Sequence, residues 1–234
     1  MHYVLIGYPR SGTYTVWEIL QTLLPEHCPY DLSGGPRHAP WPDLGATSTL
    51  IRHHFVDQLD SLTPEQIETM TVVTTVRRNF WDMCVSKCLA DATGVWQGHP
   101  EWPTPSPPDP VTVDRQFLYD QAYDYQTWCN DFVQVMKHLR IRVRAIDFDM
   151  LTTSTDPVQQ VASLLDLPAT HGPAKCFDQY RMPWRPRDLV QNYDELEAEF
   201  LQHYPRPWRT HWDLLDHINQ PGVSHEHPIP RTYL

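Results

Sequence analysis

Three short segments carry residue types whose spacing can do chemistry. The first is Gly7-Tyr8-Pro9-Arg10-Ser11-Gly12-Thr13-Tyr14-Thr15, between an apolar run and a helical pattern. A strand-to-helix turn of this kind points successive backbone N–H groups at one anion. Gly12 permits close backbone approach, the Ser and Thr hydroxyls add donors, and Arg10 adds charge. The second is Arg77-Arg78-Asn79-Phe80-Trp81-Asp82-Met83-Cys84-Val85-Ser86. Arg78 at a strand end and Ser86 on the following helix can converge on one phosphate, the first as a forked charged donor and the second through its hydroxyl. The third is the pair His53-His54. Neutral imidazole, with an ordinary pKa near ~6.5, accepts a proton at working pH, although such a pair also suits a solvated position or an adventitious metal.

The first segment keeps the glycine spacing of a nucleotide triphosphatase loop, G-x-x-x-x-G-K-[ST], but Thr13 stands where that loop requires Lys. The charge sits before the second glycine, at Arg10. This argues against kinase or ATPase chemistry.

The elements that must position these residues read as follows. Tyr3 to Ile6 is a short apolar run ended by Gly7, consistent with a buried parallel strand. Thr13 to Leu24 has helical spacing, with Val16, Ile19, Leu20, Leu23 and Leu24 on one face, and Pro25 stops it. Residues 25–48 hold five Pro and three Gly and read as a long surface loop. Thr49 to Phe55 is a strand candidate. Thr63-Pro64 resembles a helix start, with Thr63 as cap. Thr71 to Val76 is β-branched throughout, the signature of a central strand, and leads into a helix from about Trp81 to Ala92. Six Pro within residues 98–110 demand an extended loop or lid. Helix then runs from about Asp114 to Leu139, strand from Ile141 to Phe148, and helix from Asp156-Pro157 to about Leu167. A last helix lies near Asp194 to His203. Strands and helices alternate without a repeat, which predicts a single α/β domain over 1–234 with a mostly parallel central sheet flanked by helices, and loop insertions near 25–48 and 98–110.

Tyr8-Pro9-Arg10-Ser11-Gly12-Thr13, continuing to Glu18-Ile19-Leu20, resembles the 5′-phosphosulfate loop of sulfotransferases that use 3′-phosphoadenylyl sulfate (PAPS), Y-P-[KR]-S-G-T-T-W. The chain departs from it at Tyr14 and Thr15, where the family commonly has Thr and an adenine-stacking Trp; Trp17 lies two positions on. Arg78 to Ser86 resembles the family's 3′-phosphate motif, R-N-P-x-D-x-x-V-S, with Phe80 in place of Pro. Ile51-Arg52-His53-His54-Phe55 is similar to the family's I-K-T-H-[LF] strand end, and Ile146-Asp147-Phe148-Asp149-Met150 followed by Asp156-Pro157 to its F-Y-E-D-[ML]…D-P segment. The resemblance spans roughly residues 3–90, more weakly to about 167. It implies a P-loop-like sulfotransferase architecture that binds PAPS and releases 3′,5′-ADP (PAP). Pro9, Arg10, Ser11, Gly12, Thr13, Tyr14 and Thr15 would bind the 5′-phosphosulfate, and Arg78 and Ser86 the 3′-phosphate. Arg181 or Arg185 would stand in for a later adenosine-phosphate loop that is otherwise not evident. His54, in preference to His53, would be the proton acceptor, with Arg52 matching the family's Lys and Arg10 stabilising charge on the leaving oxygen.

Composition bounds the partners. At 234 residues and 41% hydrophobic the chain can bury a sizeable core. Its net charge of −11 argues against nonspecific nucleic-acid or anionic-membrane binding, so an anion must be held by a local positive cluster. Five Cys without paired short spacings point to a reduced, cytoplasmic setting, with Cys84 and Cys88 on a buried helix face. No stretch approaches the ~20 apolar residues of a membrane span, and His2 to Gly7 already reads as core strand instead of a leader. No metal is implied. The expectation is a monomer or homodimer acting on a hydroxyl (or amine) of a small-molecule or carbohydrate acceptor, with the loops as pocket walls. Tyr119, Tyr123, Tyr125 and Trp128 read as core more than as site. A PAP(S)-binding protein without turnover and a P-loop small-molecule kinase are the alternatives.

Overall fold

The β-branched and apolar runs of this chain can bury themselves only by pairing side by side, and they do so in one all-parallel sheet. The computed structural model describes residues 1–35, 40–44, 47–77, 79–95, 108–141, 143–168 and 185–204. Five strands, β1 (His2–Ile6), β2 (Cys28–Asp31), β3 (Thr49–His53), β4 (Met70–Val76) and β5 (Val143–Asp147), lie in the order β2-β3-β1-β4-β5. Every pair is parallel; Ile6 stands between His53 and Thr74, and Val76 faces Asp147. The helices are α1 (Thr13–Leu23), α2 (Pro64–Glu68), α3 (Phe80–Thr93), α4 (Arg115–Leu139), α5 (Phe148–Thr153), α6 (Pro157–Leu164), α7 (Pro186–Leu189) and α8 (Tyr193–His203), with a 3₁₀ turn at Asp57–Ser61.

Alternation along the strands sends side chains to both faces, and each face is covered. Tyr3, Leu5, Leu50, Val73 and Ile146 pack with Val16, Leu20 and Leu23 of α1 and with Val158 and Val161 of α6. Val4, Ile6, Ile51, Val72 and Val143 pack with Phe132 and Met136 of α4. A third cluster joins α3, α4 and α8 through Phe80, Trp81, Tyr125 and Phe200. Each fully buried side chain of this size contributes roughly 1.5–3 kcal/mol. Cys84 and Cys88 lie in this cluster as free thiols, and burial pushes the Cys88 thiol up to about 12. Among the described residues no helix is long and apolar enough to cross a membrane.

The chain leaves β1 toward the β3–β2 side and leaves β4 toward β5. The reversal falls at the carboxyl ends of β1 and β4, the place where ligands settle in sheets of this kind. All three chemistry-bearing segments end strands at that edge.

Local signals operate as expected at several ends. Thr63 and Gln66 form a reciprocal capping box with Pro64 opening α2, Asp114 caps α4, and Asp156 caps α6 ahead of Pro157. Other expectations are corrected. The 25–48 segment is not all loop, because Cys28–Asp31 adds an edge strand. Cys28 N and Leu32 N donate to Ser48 O and Arg52 O, so Pro29 sits at the alternate position, where a missing N–H costs no ladder bond. The third strand stops at His53 and not Phe55, because the His53 side chain takes the next two N–H groups. The 141–148 strand yields at Phe148 to α5, whose cap is Asp147. The helix after Asp156 ends at Leu164: Leu167 N bonds Ala162 O, and Asp166 takes φ 56°, a left-handed stop. Most of the Pro-rich 98–110 segment lies outside the described residues.

Asp114 accepts the Phe117 N–H at 2.8 Å at the start of the 25-residue α4. Asp114→Ala is expected to cost about 1 kcal/mol, lowering Tm by roughly 2–4 °C in a thermal melt.

Candidate functional site

The turn after β1 is shaped by steric limits before any charge is considered. A Cβ on Gly7 would lie 2.4 Å from Thr13 Cγ2 and 2.6 Å from Thr75 Oγ1. Gly12 has φ +96°, and a Cβ there would meet the Phe148 ring at 2.1 Å. Between them Arg10 takes φ 70°, a left-handed conformation that strains a non-glycine residue by about 1–2 kcal/mol. Three bonds hold it: Ser11 N donates to Tyr8 O at 3.1 Å, Ser11 Oγ donates to Tyr8 O at 2.7 Å, and Arg77 donates to Arg10 O at 3.3 Å. Ser11 Oγ also shares a 2.6 Å hydrogen bond with Thr75 Oγ1, stapling the turn to β4. Ser11 and Thr13 are buried, and the Ser11 hydroxyl bonds within the protein on both sides. Pro9, Tyr14 and Thr15 are half-buried along the same turn and the first turn of α1. That helix starts with no side-chain cap and no acidic residue in its first turn, which leaves its positive end suited to an oxyanion.

The segment after β4 meets this turn. Ser86, buried on α3, accepts a 2.9 Å hydrogen bond from Arg10 Nε, so the two segments read as phosphate-binding join at one point. Asn79 caps α3 by accepting the Asp82 N–H, and its own N–H donates to Asp149 Oδ2 at 3.0 Å. Asp149 Oδ1 lies 3.9 Å from Arg77 Nε. Burial and the neighbouring Arg77 charge pull the Arg10 guanidinium down to about 10. Two like charges at a part-buried strand edge are relieved by an anion, so this donor set fits a phosphate or sulfate. Arg78 and Arg181 lie outside the described residues. Arg185 precedes α7, exposed. Phe80, where the resemblance has Pro, packs among Tyr125, Phe200 and Tyr204.

The histidine pair divides its work. His54 Nδ1 lies 2.6 Å from Gly7 O, which can only accept, so Nδ1 carries the proton and Nε2 the lone pair. The His54 carbonyl accepts Trp128 Nε1 at 2.8 Å. Burial outweighs the Gly7 bond and lowers His54 to about 4, so the ring is neutral at pH 7. His53 is fully buried. Arg52 does not face a ligand as a free cation: Asp31 takes it through Nε at 3.0 Å and Nη2 at 2.6 Å, and its guanidinium lies 4.8 Å over the Tyr14 ring. Trp17 is a core residue, 5% exposed, and does not offer its ring for stacking. Of the α4 aromatics, Tyr125 is buried, Trp128 and Tyr119 pack against it or α8, and Tyr123 is exposed.

Sequence reading missed Asp31, Thr75, Arg77, Trp128 and Asp149 as parts of this arrangement. Arg77 and Asp149 each stand just beyond a parallel strand's carboxyl end, which was the available signal. Asp31 had none while β2 was read as loop.

Gly12→Ala is expected to cost roughly 2–4 kcal/mol from left-handed strain plus overlap with Phe148, and Phe148→Ala in the same chain should reduce that increment in denaturant titrations. The depressed His54 sets a pH dependence. Above pH ~6.5 both folded and unfolded states hold it neutral; below, the unfolded chain protonates first, and stability falls as pH drops toward 4. Between pH 7 and 4.5 the wild type should therefore lose roughly 2–3 kcal/mol more than His54→Gln, whereas equal losses would contradict the assignment.

No family model matches the chain, and no curated protein matches it in sequence. Among solved structures it is similar to mouse sulfotransferase SULT7A1 complexed with PAP, at 12% identity and a TM-score of 0.45, over 94% of this chain and 89% of that one.

Proposed function

We propose that this chain is a sulfotransferase that moves a sulfuryl group from PAPS to a hydroxyl acceptor by direct in-line transfer. The observation that carries the reading is the 2.9 Å bond from Arg10 Nε to Ser86 Oγ, which draws two phosphate-type motifs into one centre. PAPS supplies the sulfuryl group and leaves as 3′,5′-ADP. Arg10 and the N–H groups at the start of α1 bind the 5′ end and favour negative charge growing there. Ser86, with Arg78, holds the 3′-phosphate and distinguishes this donor from nucleotides lacking it. His54 Nε2 takes the acceptor's hydroxyl proton, its tautomer set by Gly7 O. The acceptor is a small molecule or carbohydrate met at the carboxyl edge of the sheet.

A PAP(S)-binding protein without turnover is a second reading, favoured by the capture of Arg52 by Asp31 at the position where the resemblance has Lys. One series separates the two. 3′,5′-ADP, and not ATP with magnesium, should raise Tm. Arg10→Gln should weaken 3′,5′-ADP binding roughly 10- to 100-fold, and His54→Ala should abolish labelled-sulfate transfer to an acceptor panel while leaving that binding nearly intact. Stabilisation by ATP with magnesium alone would reject both readings. Stabilisation by 3′,5′-ADP with no transfer to any acceptor would favour the second.

A further inference from the structure

The chain end of β3 contains a polar group that the proposed reaction leaves without a task. His53 is 0% exposed, and its Nδ1 accepts the backbone N–H of His54 at 3.0 Å and of Phe55 at 2.9 Å. A nitrogen that accepts two N–H groups holds no proton, so the ring carries its proton on Nε2. Nε2 is itself buried without a hydrogen bond among the described residues, and the ring sits 6.2 Å from the Trp41 ring and 5.4 Å from that of Phe55. His53 therefore has no lone pair to offer a substrate. What it offers is a turn: the two N–H groups that would have continued the strand fold back onto the imidazole, as they fold onto an amide oxygen in an Asx turn.

We propose that His53 is a positioning residue for His54, acting through Nδ1 as acceptor for the two N–H groups; this rests on His54 being the proton acceptor. His54 is then held at three atoms: its N by His53, its carbonyl by Trp128 at 2.8 Å, and its Nδ1 by Gly7 O at 2.6 Å. The first of these sets where the chain turns, and so aims the ring at Gly7 O. Without it, two part-buried N–H groups lose their acceptor and the segment must shift to satisfy them.

Amide replacements separate the two ring nitrogens. Asn places Oδ1 where Nδ1 stands, two bonds from Cβ, whereas Gln reaches toward Nε2. His53→Asn should keep turnover within about threefold and leave the KM for donor unchanged. His53→Gln and His53→Leu should lose turnover on the order of 10- to 100-fold through kcat, with 3′,5′-ADP affinity unmoved. Long-range ¹H–¹⁵N spectra of the His54 ring give a readout independent of activity: an Nδ1–H tautomer kept in His53→Asn and mixed in the other two. Rescue by Gln and not Asn would overturn the proposal, as would a wild-type His54 tautomer in all three. Should Gln and Leu fail to fold, a changed tautomer in His53→Asn overturns it and an unchanged one supports it. Sulfate transfer surviving in His54→Ala would instead remove His54 as the proton acceptor, while the spectra still report whether His53 orients its neighbour.

Discussion

A guanidinium cannot shed its proton at working pH, so sinking one into the junction of two parallel strands commits its surroundings to hydrogen bonds and to negative charge. Arg10 is that group. It is held in a left-handed backbone conformation, bonded to Ser86 from another motif, and crowded by Arg77. The structure around it follows from this commitment. Gly7 and Gly12 let the turn close, Ser11 and Thr75 staple it to β4, and Arg77 braces the Arg10 carbonyl. Asp149 reaches from α5 to the Asn79 N–H and toward Arg77, tying the ends of β4 and β5 into the same assembly.

The same edge gathers the other chemical parts because the sheet is parallel throughout. Each strand delivers its carboxyl end to one side, so a turn, a histidine pair and a helix start from distant parts of the chain become neighbours. Hydrogen bonds then refine what topology delivers. Gly7 O, part of the turn proposed to bind an anion, also sets the His54 tautomer. The nitrogen proposed to accept the proton and the proposed oxyanion donors thus share a scaffold, and a distortion in one is felt by the other. Local charge settles the apparent conflict with a net −11 protein: the acidic balance is global, whereas Arg10 and Arg77 stand together.

Much of this was legible in residue order, and the failures have identifiable causes. The run Thr71 to Val76 could hardly be anything but an interior strand, and Thr63-Pro64 and Asp156-Pro157 announce helix starts through backbone chemistry that needs no tertiary context. The two segments read as phosphate-binding stood out because both sit at strand-to-helix turns, and the structure brings them together through Arg10 and Ser86. Hidden were features decided by partners far along the chain. Cys28–Asp31 becomes a strand because β3 offers an unpaired edge, which composition rich in Pro conceals. Ser11 looks like a ligand donor, and its hydroxyl also bonds Thr75 from a strand 64 residues on. Arg52 matches the Lys of the resemblance, but Asp31 neutralises it, and Trp17, two positions past the expected stacking ring, is turned inward by α1. In each case the residue type was right and the competing neighbour was unknown.

The central claim is that Arg10 and Ser86 work as one unit that holds the two phosphate ends of a single nucleotide. A double-mutant cycle over Arg10→Gln and Ser86→Ala, read by calorimetric titration of 3′,5′-ADP, measures this directly. The account predicts a coupling energy of at least about 1 kcal/mol between the two positions. Losses that add to within about 0.3–0.5 kcal/mol would mean the residues act independently, and would contradict it.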